Sequence, residues 1–405
     1  MADLTAFERQ LADALRHEIG EVPALDPVEV ARSVAGSRLA RHWDPGIRPI
    51  SGRVRSIALG RGETMSSTLK FVTAAAIVLL LGGVVASYRM AVPEQAGAPG
   101  AAVETELVAT SEWTTRGDPD NPLLYANALE IGPDGNVWVL DYRGAFQIIA
   151  PDGSFIESWG TPGSVPGELS FDREIDSLYY GDISFASDGS FYVAESGNHR
   201  VSKFDADREF LMSWGEKGDG DGQFIDVTGV SVAPDGNVYA IDDERYDVQV
   251  FDPDGRFLFA FAGPGDGPEN LKDPGGFDVD TDGTVYIADW GNSRVVKYGA
   301  DGEYIDEWGQ QGAPDDPYGL YNPHDLDVGP DGRVYVADMR NNRLKVYDRD
   351  GTHLATWGGE TRASDLYVDK PVGVAVAEDG SVYFMQYNER SLEKLSVEEV
   401  PVSAE

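Results

Sequence analysis

The sequence predicts an all-β fold, a six-bladed β-propeller closed by an N-terminal strand, preceded by one transmembrane helix and a small helical N-terminal module. Two observations lead to this prediction. An Asp-Gly turn recurs six times, from Asp134-Gly135 to Asp379-Gly380, at steps of 54, 47, 47, 49 and 48 residues. A long uncharged apolar run, FVTAAAIVLLLGGVVASY, lies at residues 71–88. A period of about 40–50 residues with several short strands per unit is typical of propellers.

Each repeated unit has the pattern of four antiparallel strands. An alternating apolar strand such as GVSVA precedes the Asp-Gly hairpin, and a strand such as VYIAD follows it. A loop leads to a third strand such as RVVKY, and a second turn leads to a fourth strand that ends in Trp-Gly. The residues at this last position are Trp159, Trp214, Phe261, Trp308 and Trp357.

The sixth unit ends without a fourth strand. The segment from Thr105 to Trp113, TELVATSEW, has the pattern of an isolated fourth strand, and Trp113 fits the tryptophan register. If this segment completes the sixth blade, it closes the ring and removes its exposed edges. The sequence therefore predicts closure by the N-terminal strand.

The composition limits both fold and function. The chain has 405 residues and is therefore too long for one ordinary compact domain. Its hydrophobic fraction is 41%. It has no cysteine, so disulfides, thiolate zinc sites and cysteine nucleophiles are excluded. Residues 1–70 carry 10 Lys/Arg and 9 Asp/Glu, whereas the remainder carries 22 and 61. So acidic a surface repels phosphate backbones, and no nucleic acid is expected as a partner.

The apolar run predicts a single-pass membrane anchor. As a helix its 18 residues span about 27 Å, close to the thickness of the hydrocarbon core of a bilayer. Basic residues cluster upstream in 37–70, whereas Arg89 is the one basic residue downstream as far as residue 110. The positive-inside rule then places the N-terminus in the cytoplasm and the acidic bulk outside. A signal peptide cut after Ala86 and a buried core helix are the alternatives, and the long N-terminal segment and the charge asymmetry argue against them.

The predicted organisation follows these shifts in composition. In the N-terminal segment Leu4, Phe7, Leu11 and Leu15 share one helical face. The predicted boundaries are 1–36 for a small helical cytoplasmic module, 37–70 for a basic juxtamembrane segment, 71–91 for the transmembrane helix, 92–104 for a linker, 105–398 for the propeller and 399–405 for a tail.

The repeats resemble the NHL-repeat family of six-bladed β-propellers, of a membrane-anchored, bacterial type. The segments that carry the resemblance are VYIADWGNSRVVKY, VYVADMRNNRLKVY, FYVAESGNHRVSKF and the connector WGEKGDGDGQF. Units 1, 3 and 6 depart from the pattern because they lack its Asn-x-Arg. The resemblance implies that some relatives are lyases or hydrolases that hold zinc or calcium in the central channel, the zinc enzymes through several histidines.

Three units place a carboxylate and an arginine five residues apart across one loop. A carboxylate that ends the second strand and a guanidinium that begins the third can pair across that turn. We expect these residues to be structural ion pairs rather than ligand contacts. The pairs are Glu195 with Arg200, Asp289 with Arg294, and Asp338 with Arg343.

The starts of the inner strands and the loops after the second strands are expected to meet at one mouth of the central channel. Small residues there, beside a few polar and aromatic ones, predict a shallow pocket for a small polar ligand. The candidate ligand-binding residues are His324, Asp325, Asp182, Asn127, Thr228, Trp290, Tyr142 and Tyr387. One histidine does not supply the usual three protein ligands of a catalytic zinc, so His324 is a candidate base only if the chain is an enzyme.

The turn of the fourth unit carries additional carboxylates. The segment DVDTDGTVYIAD, from Asp278 to Asp289, matches the pattern Asp-x-Asp-x-Asp-Gly. Oxygen ligands at alternate positions around a glycine turn suit calcium, so Asp278, Asp280 and Asp282 are candidate calcium ligands. Strands rather than helices flank the turn, which favours a structural turn. No other cofactor is expected.

Together these features favour a membrane-anchored, extracytoplasmic propeller that binds a ligand or a partner. The ligand is expected to be a small polar molecule, a glycan or a protein. Two alternatives stay open. One is a lyase or hydrolase of the streptogramin-lyase or lactonase type, which several histidines or a carboxylate cluster in the channel would favour. The other is a structural envelope protein without a ligand.

Overall fold

The computed structural model describes residues 105–124, 126, 128–141, 143–171, 181–312, 316, 318–358 and 366–401. These residues form six four-stranded antiparallel sheets and one short two-stranded parallel pair. The predicted all-β six-bladed propeller is therefore confirmed. The predicted helical module, juxtamembrane segment, transmembrane helix and linker lie outside the described residues. Within the described ranges, no helix is long and apolar enough to cross a bilayer.

Five blades consist of four consecutive strands, and the sixth consists of three strands and the N-terminal one. The strands are β1 (Thr105–Thr115); β2 (Ala128–Ile131), β3 (Val137–Asp141), β4 (Ala145–Ile149) and β5 (Phe155–Trp159) in blade 1; β6 (Gly181–Phe185), β7 (Phe191–Glu195), β8 (Arg200–Phe204) and β9 (Phe210–Trp214) in blade 2; β10 (Val227–Val232), β11 (Val238–Asp242), β12 (Asp247–Phe251) and β13 (Phe257–Ala262) in blade 3; β14 (Pro274–Val279), β15 (Val285–Asp289), β16 (Arg294–Tyr298) and β17 (Tyr304–Trp308) in blade 4; the parallel pair β18 (Gln310–Gln311) and β19 (Gly319–Leu320); β20 (Pro323–Val328), β21 (Val334–Asp338), β22 (Arg343–Tyr347) and β23 (His353–Gly358) in blade 5; and β24 (Pro371–Val376), β25 (Val382–Gln386) and β26 (Ser391–Pro401), which with β1 form blade 6.

The blades are arranged as a closed ring. The first strand of each blade packs beside the first strand of the next, and β24 of the last blade packs beside β2 of the first. Three short 3-10 turns follow the second strand in blades 2, 4 and 5, at Ser196–Asn198, Trp290–Asn292 and Met339–Asn341. The first strands therefore surround the central channel, and the loops after the second strands lie at one end of the blades.

The second strand of every blade is buried at all five positions. Its sequence is rich in β-branched and aromatic residues, for example VYVAD in β21 and VYIAD in β15. A strand covered on both faces by neighbouring blades has a continuous apolar sequence rather than an alternating one. The fourth strands instead keep exposed positions, as in β5 and β17, because their outer surface faces solvent.

The tryptophan that ends a fourth strand packs against a turn of the next blade. Trp214 of blade 2 lies on Gly255 in the last hairpin of blade 3, and a Cβ added to Gly255 would come within 2.6 Å of the indole. Trp308 of blade 4 lies in the same way on Gly351 of blade 5. The glycine at this turn is therefore required by close approach of the neighbouring ring. This contact explains the tryptophan register that the sequence predicts.

The N-terminal strand β1 closes the ring. It pairs antiparallel with β26, from Thr105 opposite Pro401 to Thr115 opposite Leu392. Trp113 Nε1 donates a hydrogen bond of 3.0 Å to the Pro151 carbonyl in blade 1, while its ring packs on Tyr383 in blade 6. The strand β26 runs past the predicted end of the propeller at residue 398, because the eleven residues of β1 offer it a longer partner.

Replacing Trp113 by Ala is expected to lower the free energy of unfolding by about 2–3 kcal/mol, because a large aromatic side chain that joins blade 6 to blade 1 is lost. The matched control is Val108→Ala on the same strand, where the side chain is 38% exposed. The control should change stability by less than about 0.5 kcal/mol. Chemical denaturation of the full chain measures both variants. Equal effects would contradict the role of Trp113 in closure.

Candidate functional site

The mouth of the central channel is a small polar cavity. It has a volume of about 30 Å³, far below the roughly 300–1,000 Å³ of typical ligand pockets. Its lining comes from the first residues of the inner strands and consists of Ala128, Gly181, Asp182, Thr228, Gly229, Gly275, Gly276, His324 and Asp325. Four of the eight predicted ligand-binding residues are in this set. The glycines allow the strands to approach: a Cβ on Gly276 would lie 1.7 Å from Asp325 Oδ1.

His324 lies at this mouth but is buried, with 1% of its surface exposed. Burial lowers the pKa of its imidazole to about 3, and a hydrogen bond with the Val372 backbone offsets only part of this effect. The ring is therefore neutral near pH 7. A general base works best when its pKa is near the operating pH, so His324 is poorly suited to accept a proton from a substrate.

The two aspartates at the mouth connect neighbouring blades. Val230 N–H of blade 3 donates to Asp182 Oδ2 of blade 2 over 3.1 Å, and Val374 N–H of blade 6 donates to Asp325 Oδ2 of blade 5 over 2.9 Å. The inner edge of each first strand carries N–H groups without a strand partner, and buried backbone donors need an acceptor. These carboxylates supply it, a role that was not predicted from the sequence.

A second row of acceptors lies two residues further along the inner strands. Asp278 Oδ2 accepts from Val328 N–H at 3.2 Å, and Asp327 Oδ2 accepts from Val376 N–H at 2.6 Å. Ser184 Oγ plays the same part towards blade 3. The recurrence of Asp or Ser four and six residues before the turn aspartate is the sequence signal that identifies both rows.

The carboxyl groups of the inner strands interact with each other. Burial raises the pKa of Asp182 to about 7, and it raises the pKa values of Asp325 and Asp327 well above their usual range. Burial also raises the pKa of Glu130, and the charges of Asp327 and Asp278 add to the effect. Like charges in a poorly solvated channel favour the protonated form. These groups therefore retain protons at a pH where exposed carboxyls are ionised.

Trp290 and Tyr387 are not among the described residues that line the cavity. Trp290 is half-buried, and the Arg340 guanidinium lies 6.0 Å from its ring centroid. Tyr387 follows β25, and its N–H donates to the Lys370 carbonyl. Asn127 and Tyr142 lie outside the described residues.

Two of the three candidate calcium ligands face the same arginine, and the third is directed elsewhere. Asp280 Oδ2 and Asp282 Oδ2 face Arg349 of blade 5, at 3.0 and 3.3 Å from its guanidinium nitrogens. Asp278 instead accepts from Ser231 Oγ at 3.0 Å and from blade 5. In the part of the chain that the structure describes, no group of three or more His, Asp or Glu side chains is placed to hold a metal ion. Calcium binding stays a prediction.

The carboxylate–arginine pairs are buried at the hairpins between the second and third strands. Arg200 Nε lies 2.9 Å from Glu195, and the corresponding distances are 2.7 Å for Arg294 to Asp289 and 2.7 Å for Arg343 to Asp338. In each pair the carboxylate is fully buried. Each guanidinium also donates to carbonyls of the connector that enters its blade, such as Gly319 for Arg343 at 2.7 Å. The arginine therefore fixes the connector to the blade.

Blades 1 and 3 supply this guanidinium from the loop instead. Arg143 pairs with Asp141 and donates to the Pro122 carbonyl at 2.8 Å. Arg245 pairs with Asp247 and donates to the Gly220 carbonyl at 2.9 Å. The Asn-x-Arg pattern does not identify either residue, because both are shifted relative to it along the hairpin. A carboxylate at the end of the second strand followed by any arginine within five residues would have been the better signal.

Blade 6 has a pocket at the equivalent hairpin. Gln386 stands in the carboxylate position and Ser391 in the arginine position. The cavity there has a volume of about 440 Å³. We call it the blade-6 pocket, and it is lined by Ser111, Thr114, Arg116, Leu366, Tyr367, Gln386, Glu389, Ser391 and Glu393.

Family comparisons agree with the repeat and the fold. A family model described as a 6-bladed beta-propeller matches residues 227–311, and the NHL repeat model matches residues 181–204 and 320–347. The chain therefore contains NHL repeats and folds as a six-bladed β-propeller, which we call the NHL propeller. No curated protein matches the sequence of this NHL propeller.

Solved structures share the fold of the NHL propeller. A structural genomics protein of unknown function from Bacteroides thetaiotaomicron is 14% identical with a TM-score of 0.53, over 73% of this chain and 77% of that one. A virginiamycin B lyase from Staphylococcus aureus is 13% identical with a TM-score of 0.48, over 75% and 90%. A gluconolactonase from Xanthomonas campestris is 15% identical with a TM-score of 0.49, over 68% and 87%. At these identities the likeness concerns the fold alone.

Replacing Arg343 by Ala is expected to cost about 3–5 kcal/mol of stability, because it leaves the buried Asp338 carboxylate without its cation. The matched control is Arg256→Ala, which breaks the pair with Asp252 where the arginine is 78% exposed. This control should cost less than about 1 kcal/mol. Urea unfolding of the full chain measures both. A loss no larger for Arg343→Ala than for Arg256→Ala would contradict the structural role.

The thermal stability of the propeller is expected to fall as the pH rises from about 4 to 7. Over this interval folded Asp182 holds a proton that the unfolded chain releases, so rising pH favours unfolding. Asp182→Asn keeps an acceptor for Val230 N–H but does not ionise, so its melting temperature should fall less steeply. Asp182 is only partly buried, which limits the difference in stability between the parent and this variant to about 1–2 kcal/mol.

Differential scanning fluorimetry in buffers of equal ionic strength measures this pH dependence. The control Asp207→Asn, at an exposed turn, should keep the slope of the parent. A parent whose melting temperature rises over the same interval, or a variant with an unchanged slope, would show that Asp182 does not carry a proton in the fold.

Proposed function

We propose that this chain is a binding protein without catalytic activity, an extracytoplasmic NHL propeller held at a membrane by the apolar run at residues 71–88. The observation that carries the proposal is the contrast between two cavities. The channel mouth holds about 30 Å³, whereas the blade-6 pocket holds about 440 Å³. Ligand pockets typically fall between about 300 and 1,000 Å³. The larger cavity therefore has the size of a ligand site, and the channel mouth has not.

The chemistry of the channel mouth argues against turnover at that place. Its histidine is neutral and buried, and its aspartates already accept backbone hydrogen bonds from neighbouring blades. A catalytic site needs a base or nucleophile within reach of a substrate atom, together with donors for the developing charge. A cavity of about 30 Å³ is too small to admit a lactone ring or a cyclic peptide beside His324.

The charge distribution supports the proposed topology and the kind of ligand. After residue 70 the chain has 61 Asp/Glu against 22 Lys/Arg, and the basic residues upstream flank the apolar run. A strongly acidic surface attracts cationic partners and repels anionic ones, most effectively at low ionic strength. We therefore place the propeller outside the cell and expect a cationic or neutral partner.

Turnover assays on the full chain in detergent test the proposal. Gluconolactone and a streptogramin B antibiotic are the substrates to use, because the lactonase and lyase alternatives act on such molecules. No conversion above the protein-free rate is expected for the parent or for His324→Ala. Conversion by the parent that His324→Ala abolishes would establish the enzyme alternative and overturn the proposal.

Protease added to intact cells tests the topology. The propeller should be released or cleaved from outside, whereas an epitope within residues 1–70 should stay protected, since the apolar run is expected to cross the bilayer once. An internal cytoplasmic protein is the control for cell integrity. Protection of an epitope after residue 401 with digestion of the N-terminal one would reverse the orientation.

A further inference from the structure

Five blades place a guanidinium at one equivalent position. It lies at the hairpin between the second and third strands and belongs to Arg143, Arg200, Arg245, Arg294 and Arg343. Each combines an ion pair with a carboxylate and hydrogen bonds to connector carbonyls. A guanidinium is planar, has five donors and matches carboxylate geometry, which suits it to such a site.

In blade 6 the residues around that position differ. Gln386 pairs with Ser391 across the hairpin, where Asp289 pairs with Arg294 in blade 4. The buried carboxylate of this blade is Glu393, two residues further along β26, with 6% of its surface exposed. It accepts from Gln386 Nε2 at 2.9 Å and makes a hydrogen bond with Ser111. Blade 6 therefore keeps a buried acid, whereas the arginine of its hairpin, Arg390, is exposed and is not among the residues that line the pocket.

Glu393 has no cation beside it among the described residues. Burial raises the pKa of its carboxyl, as expected for an acid without a positive partner. Ser391 Oγ is also buried, at 2% exposure, and within the described ranges it has no hydrogen-bond partner. Buried hydroxyl groups are usually satisfied, so an unpaired one beside an acid points to a missing donor.

The rim of the blade-6 pocket carries one ion pair. Arg116 and Glu389 approach to 3.6 Å, and their side chains are 64% and 46% exposed. With Glu393 ionised, the charged groups among the described lining residues sum to one negative charge, which lies on the buried Glu393. A single positive charge would neutralise it.

We propose that the blade-6 pocket binds the guanidinium group of a ligand. Glu393 accepts its paired N–H groups, Ser391 Oγ accepts a further one, and the exposed Arg116–Glu389 pair stays at the rim. The ligand supplies from outside the group that the other five blades supply themselves. The inference rests on the proposed binding function and names the ligand class of that site. The guanidinium comes either from a free small molecule or from an arginine side chain of a protein.

Calorimetric titration of the full chain in detergent tests the proposal. The probe is N-acetyl-arginine amide, and N-acetyl-citrulline amide is its uncharged isostere. Binding of the arginine probe and at least tenfold weaker binding of the citrulline probe are expected. Glu393→Gln should weaken the arginine probe at least tenfold, whereas the control Glu398→Gln, exposed on the same strand, should leave it unchanged. Equal binding of the two probes, or loss of binding in the control alone, would overturn the proposal.

Ser391→Arg provides a test that does not depend on weakening the fold. The substitution places a guanidinium where blades 2, 4 and 5 have one, so it should raise the melting temperature and abolish binding of the arginine probe. Unchanged binding by this variant would overturn the proposal.

Two further comparisons separate the sources of the guanidinium. A blocked Gly-Arg-Gly peptide that binds as tightly as the amide supports a protein ligand, and weaker peptide binding supports a small molecule. Arg362, in the stretch 359–365 outside the described residues, precedes the pocket residue Leu366 along the chain. If the probe binds Arg362→Ala but not the parent, the chain fills its own pocket and the proposal is wrong. If neither the parent nor Arg362→Ala binds the arginine probe, and no substrate is converted, this inference fails while the proposed binding function stands.

Discussion

The propeller depends on hydrogen bonds between neighbouring blades at the inner edges of its first strands. A first strand pairs with the second strand on one side only, so its other edge presents backbone N–H groups to the channel. Asp182, Asp278, Asp325 and Asp327 accept these groups from the next blade. Because an unpaired buried donor costs about 1–3 kcal/mol, this arrangement helps to fix the blades around the ring. It also occupies the polar groups that a ligand in the channel would need.

The guanidinium positions form the second set of connections, within each blade. An arginine joins the hairpin to the connector in blades 1 to 5, although the residue comes from three different places along the hairpin. The guanidinium therefore occupies an equivalent place in blades 1 to 5, although the position of its arginine along the sequence varies. Blade 6 keeps the buried acid Glu393 with no cation paired to it among the described residues, and it is also the blade completed by β1. The departure from the repeat and the larger cavity therefore occur at the same place in the ring.

These two sets of contacts distinguish the groups that hold the propeller together from the groups that we propose bind a ligand. Carboxylates and histidine in the channel are committed to the ring, and their shifted pKa values follow from that burial. The blade-6 pocket instead has an acid and a hydroxyl group whose hydrogen-bonding capacity is incompletely used. A binding site on the side of a closed ring can change its residues without weakening the remaining blades, because each blade contacts only its neighbours.

The sequence by itself determined the blade number, the strand order within a blade and the closure by Thr105–Thr115, because these follow from a repeat period, hairpin turns and one missing tryptophan strand. It also located His324, Asp325, Asp182 and Thr228 at one mouth, since their register is counted from the turns. It did not reveal that Asp182 and Asp325 serve the next blade, that Arg143 and Arg245 replace the missing pattern, or that Trp290 contacts Arg340 away from the cavity. Only the tertiary structure decided these points, because they depend on distances between residues about 20–50 positions apart, which register along one strand does not contain.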